Sequence, residues 1–280
     1  MISVVILTKN EEINLQRCLD SVSWSDDVLV LDSGSTDKTT EIARRNNAKV
    51  LFRFFDNFAS QRNFAVDRGG LRHEWVLHLD ADEEVTPQLR DELIRISSGR
   101  GDRGSLAYRV ASRMMLDGRW IKRAGMYPVY QVRFGRVRDL RFKMVGHGQQ
   151  EILEPHKLGV LGSDLIHHNF SKGVDDWLKR HEKYARDEAV EIIQRSGALS
   201  FSQAAASFMS ARSNTERRRA LKQRADDLPL RPLLRFLYVY VLRAGFLDGS
   251  AGLTYARLIW RYQRMIDQEV ELLRGHVRKT

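Results

Sequence analysis

The sequence predicts an α/β fold, with a mostly parallel central sheet, helices on both faces and a C-terminal helical extension. Two observations predict it. The first ninety residues alternate between short apolar runs rich in β-branched residues and stretches with helical spacing. Strands alternating with helices build right-handed crossovers, and those build parallel sheets. The polar clusters Thr8-Lys9-Asn10-Glu11, Asp32 to Asp37 and Asp80-Ala81-Asp82-Glu83 also fall just after expected strands. In open α/β sheets that edge is where ligands sit.

The elements follow in order. Ser3 to Thr8 reads as a buried strand. From Asn10 to Val22, Ile13, Leu15, Leu19 and Val22 share a broad helical face. Val28 to Asp32 is the second strand, and a helix starts at Ser35-Thr36-Asp37, whose short polar side chains suit exposed backbone N–H groups. Lys49 to Phe54 is a strand, Phe58 to Val66 a helix, and Trp75 to Leu79 a strand that delivers Asp80 to its end. A helix begins near Pro87. Leu106 to about Glu154 carries short β-like pieces, among them Leu106–Val110 and Val129–Phe134. Trp177 to Arg195 is a strong helix, and the chain beyond about residue 200 is helical and arginine-rich. The expected organisation is a sheet domain over 1–195 and a basic amphipathic extension over 196–280.

Bulk properties narrow the function classes. The 280 residues are 42% hydrophobic and 29% charged, the balance of a globular protein. One cysteine, Cys18, excludes an intrachain disulfide, fits a reducing compartment and sits in an apolar helical pattern as a buried thiol. No basic region precedes the N-terminal apolar run, and no stretch reaches the roughly 20 apolar residues of a membrane-spanning helix. These features place the protein in the cytoplasm. A net charge of +10 points to an anionic partner: a phosphorylated substrate, an anionic membrane face or a nucleic acid.

Asp80 and Asp82 are the first candidates for chemistry. Two carboxylates on one strand exit repel each other unless a cation joins them, and Mg2+ and Mn2+ take oxygen ligands with room left for phosphate. Taken alone the triplet reads more readily as a solvated acidic turn, and its place after an apolar strand shifts the balance toward a site. Asp32, also at a strand end, can accept hydrogen bonds from a base or a ribose, whereas Asp37 fits a helix cap. Arg62 in Gln61-Arg62-Asn63 is a planar donor suited to a nucleotide. The Gly34 turn has neither the G-x-G-x-x-G spacing of dinucleotide folds nor a G-K-[ST] phosphate loop. A phosphatase using D-x-D needs Thr or Val where Glu84 stands.

Taken together, Ser3-Val4-Val5-Ile6-Leu7-Thr8-Lys9-Asn10-Glu11-Glu12, Leu31-Asp32-Ser33-Gly34-Ser35-Thr36-Asp37, Gln61-Arg62-Asn63 and Leu79-Asp80-Ala81-Asp82-Glu83 resemble the family 2 glycosyltransferases of the Rossmann-like GT-A fold. Within them the chain is most similar to bacterial lipopolysaccharide core glucosyltransferases that act on heptose. The resemblance implies a UDP-sugar donor, Mn2+ or Mg2+, inversion at the anomeric carbon and a lipid-linked glycan acceptor. It implies that Thr8, Glu11, Asp32 and Arg62 hold the nucleoside. Asp80 and Asp82 would meet the ribose and the diphosphate-bound metal, with Asp82 the more direct ligand. His167, before the helix Trp177 to Arg195, would contact diphosphate or metal; the adjacent His168 faces the other way on a strand. The base falls in Gly146-His147-Gly148-Gln149-Gln150-Glu151: Glu151 fits best, although Gln150 stands where relatives carry His, and His147 is the alternative.

The C-terminal third adds a basic block, Arg212, Arg217, Arg218, Arg219, Lys222 and Arg224, then Leu233 to Arg243, and then Arg257, Arg261 and Arg264 at helical spacing. Aromatic and aliphatic residues beside arginines suit a helix lying in a membrane interface, here the inner face of the cell membrane. Core-packing helices with solvated arginines are the plainer alternative. A non-catalytic RNA- or membrane-binding protein would leave the acidic clusters unexplained, and the aromatic–basic strings of RNA readers are missing from the sequence, so no nucleic-acid partner is expected.

Overall fold

The computed structural model describes residues 1–101, 104–145, 148–196 and 230–277. Its strands are β1 (Ile2–Thr8), β2 (Val28–Asp32), β3 (Lys49–Phe52), β4 (Trp75–Asp80), β5 (Glu83–Val85), β6 (Ala107–Leu116), β7 (Arg119–Trp120), β8 (Tyr130–Arg136), β9 (Phe142–Val145), β10 (Gly148–Glu151) and β11 (Leu158–His167). Among the described residues nine strands form one sheet in the order β3-β2-β1-β4-β8-β6-β11-β5, with β7 on β6, and β9–β10 form a separate hairpin. The first four strands in space are parallel. β8 is antiparallel to both β4 and β6, and β6 is parallel to β11. β4, β6 and β11 therefore run in one direction and end on one rim.

The sheet is covered on both faces, which is why β1 reads as a continuous apolar run. Val4 and Ile6 pack with Leu15, Cys18 and Leu19 of α1 (Leu15–Ser21), Ala43 of α2 (Thr39–Arg45), and Leu89 and Leu93 of α4 (Pro87–Arg95). Val5, Leu29, Leu31 and Val76 point the opposite way, toward Ala59 and Ala65 of α3 (Phe58–Arg68). Period-two alternation thus splits one strand between two cores. α3 is capped by Asn57, whose side chain accepts from the Ser60 amide, and α4 by Thr86 with Pro87 at its first turn.

Two helices start later than the spacing predicts. α1 begins at Leu15, because Asn10 takes a left-handed φ of 54° and its side chain accepts the Thr36 amide. α2 begins at Thr39, because the Gly34 and Ser35 amides both donate to Asp32. Gly34 at φ 92° permits that turn. Asp37 caps α2 as expected, accepting from the Thr39 amide at 3.0 Å. Cys18 is buried as expected, with its Sγ 3.8 Å from the Asp80 carbonyl.

The chain divides into two compact units, one comprising residues 1–122 and 127–172, the other 123–126 and 173–280. This differs from the boundary expected at 195/196. α5 (Val174–Ser196) buries Ala185, Ala189 and Ile192 against Ile266 and Val270 of α7 (Gly249–Val277), and so belongs to the second unit. α6 (Arg231–Leu237) runs into a single π turn, Tyr238–Leu242. No described helix is long and apolar enough to cross a membrane. The basic block from Arg212 to Arg224 lies outside the described residues.

Leu77 is fully buried at the centre of the sheet. Leu77→Ala is expected to lower the urea midpoint with an unchanged slope, at a cost of about 2–5 kcal/mol; a loss well under 1 kcal/mol would contradict this account of the core.

Candidate active site at the carboxyl rim of the sheet

Strand register assembles the rim. Thr8 is the Cα partner of Asp32, and Leu7 that of Asp80, so three strand ends meet at one level. Asp32 is buried, and its carboxylate accepts from Thr8 Oγ1 at 3.1 Å, the Gly34 and Ser35 amides at 2.9 Å each, and Ser35 Oγ at 2.5 Å. Its hydrogen-bonding capacity goes largely to shaping the β2–α2 turn. Glu11 accepts from Lys172 Nζ at 2.5 Å and Asn14 Nδ2 at 2.7 Å. Burial pushes the Glu11 carboxyl up, against the pull of Asn14 and Lys172.

Asp80 anchors a buried charge lattice. One carboxylate oxygen accepts from Arg62 Nη2 at 2.7 Å, the other from Arg133 Nη2 at 2.6 Å. Arg133 also donates to Glu83 Oε1 at 2.6 Å, and Glu83 Oε2 accepts the Asp80 amide at 2.9 Å. Arg62, Glu83 and Arg133 are each at most 2% exposed, while the Asp80 side chain keeps 28%, so only Asp80 meets the outside. Burial alone raises an aspartate; here Arg133 and Arg62 overcome it and hold Asp80 well below the usual carboxylate range. Burial and the neighbouring Arg133 charge pull Arg62 down to about 10. The sequence reading expected Arg62 to meet a nucleotide directly. At 1% exposure, with Nε donating to Gln149 Oε1 at 3.1 Å, it instead positions Asp80.

Asp82 lies across the β5–β11 pairing. His167 is the Cα partner of Glu83, and its Nε2 sits 3.3 Å from Asp82 Oδ2. His168 turns the other way and pairs with Glu84 at 3.0 Å. Alternating histidines thus meet alternating acids, as the strand period requires. Burial opposes a charge on His167, yet Asp82, Glu83 and Asp80 raise it to about 9. No group of three or more His, Cys, Asp or Glu side chains at metal-ligand spacing occurs among the described residues.

Glu151 ends β10, and its carboxylate lies 3.7 Å from Arg109 Nη2. Gln149 occupies the same face of β10 and reaches Arg62, while Asn63 of α3 exchanges two hydrogen bonds with the Phe142 backbone. Consecutive α3 residues therefore fasten the hairpin beside the Asp80 lattice. His147 lies outside the described residues. Sequence reasoning missed Arg133 and Lys172. An arginine inside the apolar run Val129–Phe134 was the available signal for the first; Lys172, 161 residues from Glu11, offered none.

An α/β sheet that gathers carboxylates and cations at the carboxyl ends of parallel strands has the architecture of enzymes that hold phosphorylated ligands there. The chain belongs to glycosyl transferase family 2, whose model matches residues 3–145. It is 37% identical over 118 residues to an uncharacterized glycosyltransferase of Rickettsia typhi, covering 42% of this chain and 40% of that one. It is 27% identical over 122 residues to the lipopolysaccharide core biosynthesis glycosyltransferase LpsC of Rhizobium meliloti, covering 42% and 44%. The chain thus spans about 40% of the length of the curated relatives it matches. A crystal structure of Mycobacterium tuberculosis glucosyl-3-phosphoglycerate synthase with Mn2+, UDP and glucosyl-3-phosphoglycerate is similar with TM-score 0.38 at 19% identity, covering 49% of this chain and 57% of that one.

Arg133→Gln leaves Asp80 and Glu83 facing each other without their shared cation. It is expected to destabilise the fold by about 3–5 kcal/mol in urea unfolding; a neutral effect would show that the lattice does not hold the rim.

Proposed function

We propose that this chain is a metal-dependent, inverting hexosyltransferase. It moves a hexose, glucose by resemblance, from a UDP-sugar to a hydroxyl of a lipid-linked glycan such as lipopolysaccharide inner-core heptose. The observation that carries the reading is the Asp80–Asp82 rim: one carboxylate held ionised by two buried arginines, the next facing His167.

Thr8, Glu11 and the Asp32 turn form the nucleoside side of the site, and Arg62 acts through Asp80. Asp80 meets the ribose and diphosphate. Asp82 and His167, with Asp80 on the same rim, are the residues that would hold Mn2+ or Mg2+, and a cation bound there would meet the diphosphate oxygens of the donor. Such a cation would supply positive charge to offset the negative charge growing on the departing diphosphate. Glu151 takes the proton of the attacking acceptor hydroxyl, with His147 the alternative base. Arg109 keeps the Glu151 carboxylate oriented.

The second unit supports a place on the inner membrane face. Leu233, Leu234, Leu237, Val241, Leu242, Phe246 and Leu247 are exposed along one short segment. Exposed Arg257, Arg261 and Arg264 follow on α7, with Arg264 stacked over Trp260 at 5.1 Å. Apolar side chains with arginines nearby match an anionic bilayer surface. The name of the Rhizobium relative favours a lipopolysaccharide acceptor.

Calorimetry tests the donor site. UDP is expected to bind more tightly with Mn2+, and Asp82→Ala to lose that metal dependence; Mn2+-dependent binding that survives in Asp82→Ala would remove Asp82 from the site. Glu151→Gln is expected to keep UDP binding and lose transfer by roughly 10²–10⁴-fold; substantial transfer would assign the base to His147. In vesicle sedimentation the protein should pellet with phosphatidylglycerol-containing vesicles, and Leu242→Glu should reduce this. Equal pelleting with purely zwitterionic vesicles would argue against an anionic surface.

A further inference from the structure

A second cationic cluster stands on β6 and β11, the two strands that lie beyond the Asp80 lattice in the sheet. β6 and β11 end beside Asp82, since Met114 is the Cα partner of His167. One residue before Met114, Arg113 donates through Nε to Asp164 Oδ2 at 2.8 Å, and its guanidinium lies over the Trp120 ring at 5.1 Å. Lys122 Nζ lies 5.1 Å from the centroid of the same ring and 5.9 Å from that of Tyr127. Trp120 and Tyr127 meet edge to face at 5.0 Å, so Lys122 rests against a rigid aromatic corner. Tyr127 takes the other Asp164 oxygen at 2.7 Å.

The charges do not balance. Two cations share one indole, and the Asp164 carboxylate is divided between Arg113 and Tyr127, while Asp248 is taken up by the Arg123 and Ala124 amides. Lys122 is exposed and has no carboxylate partner among the described residues. The Trp120 indole N–H is buried and has no hydrogen-bond acceptor among the described residues. Bringing two like charges onto one aromatic ring costs energy unless an anion answers them, and a cluster serving packing alone would be expected to carry its own counter-charge. Exposure of Lys122 and partial exposure of Arg113 (39%) leave both available to a ligand.

We propose that Arg113, Trp120 and Lys122 form an acceptor subsite for a sugar carrying a phosphate or carboxylate group. The anion meets Lys122 and Arg113, and its sugar lies beside Trp120. This deepens the transferase reading, on which its role as an acceptor subsite rests. The chemistry recognised is an anionic substituent on a sugar, and the two sources of that charge are separable by experiment.

The test is binding to the whole 280-residue chain, by saturation-transfer NMR or calorimetry, of glucose 6-phosphate, glucuronate, glucose and inorganic phosphate. At least one anionic sugar is expected to bind where glucose at equal concentration does not, and the stronger of the two names the substituent. Lys122→Glu, an exposed change, should weaken that binding at least tenfold, as should Trp120→Leu. Asp82→Ala should lose metal-dependent UDP binding yet keep the sugar anion, so that failure of the donor site is distinguished from failure of this one. Unchanged affinity in Lys122→Glu overturns the subsite. So does binding of glucose as tight as that of both anionic sugars, or inorganic phosphate binding as tightly as the sugar phosphate.

Discussion

The Asp80 carboxylate, gripped by Arg62 on one oxygen and Arg133 on the other, organises the rest of the rim. It joins four parts of the fold: β4 carries Asp80, α3 carries Arg62, β8 carries Arg133, and the start of β5 carries Glu83. Buried charges of one sign would be intolerable in that position, and two arginines facing two carboxylates bring the sum close to neutral. Three of the four are shut away from solvent, and the lattice presents Asp80 alone to the surface. A carboxylate held in this way keeps its charge and its direction without needing a ligand to fix either.

The lattice also explains how distant pieces of chain are aligned with the rim. Through Arg62 Nε it reaches Gln149, on the same hairpin face as Glu151. Through the β5–β11 register it fixes the side of the strand on which His167 meets Asp82. Glu151 and His167 are thereby set relative to one carboxylate. The lattice sits where the parallel strands meet the mixed half of the sheet, with Thr8, Asp32 and Asp80 on one side and the Arg113–Lys122 cluster on the other.

Much of this was legible in the sequence. Apolar runs ending in Thr8, Asp32 and Asp80 marked three strand ends, because strands covered on both faces must be apolar until they leave the sheet. The roles within the clusters were less legible. Asp32 and Arg62 look like ligand-binding residues by type, yet the first is absorbed by its own turn and the second by Asp80. Helix starts moved by four or five residues for a related reason: amides that spacing assigned to a first turn are taken by Asp32, and Asn10 adopts a left-handed conformation that no hydrophobic period reveals.

By itself the sequence determined the α/β class, the order of its strands along the chain, and the acidic triplet at the end of β4, since these depend on local periodicity and on where apolar runs stop. Only the tertiary structure decided what each acid does. Arg133, 53 residues from Asp80, and Lys172, 161 residues from Glu11, became partners through strand order and register. Exposure, which makes Asp80 reachable and Arg62 not, is likewise a property of packing rather than of residue type. Asp80-Ala81-Asp82 therefore appears in the sequence as two equivalent aspartates and in the fold as two different ones. One is charged and fixed by buried arginines, and the other is set against a histidine on the neighbouring strand.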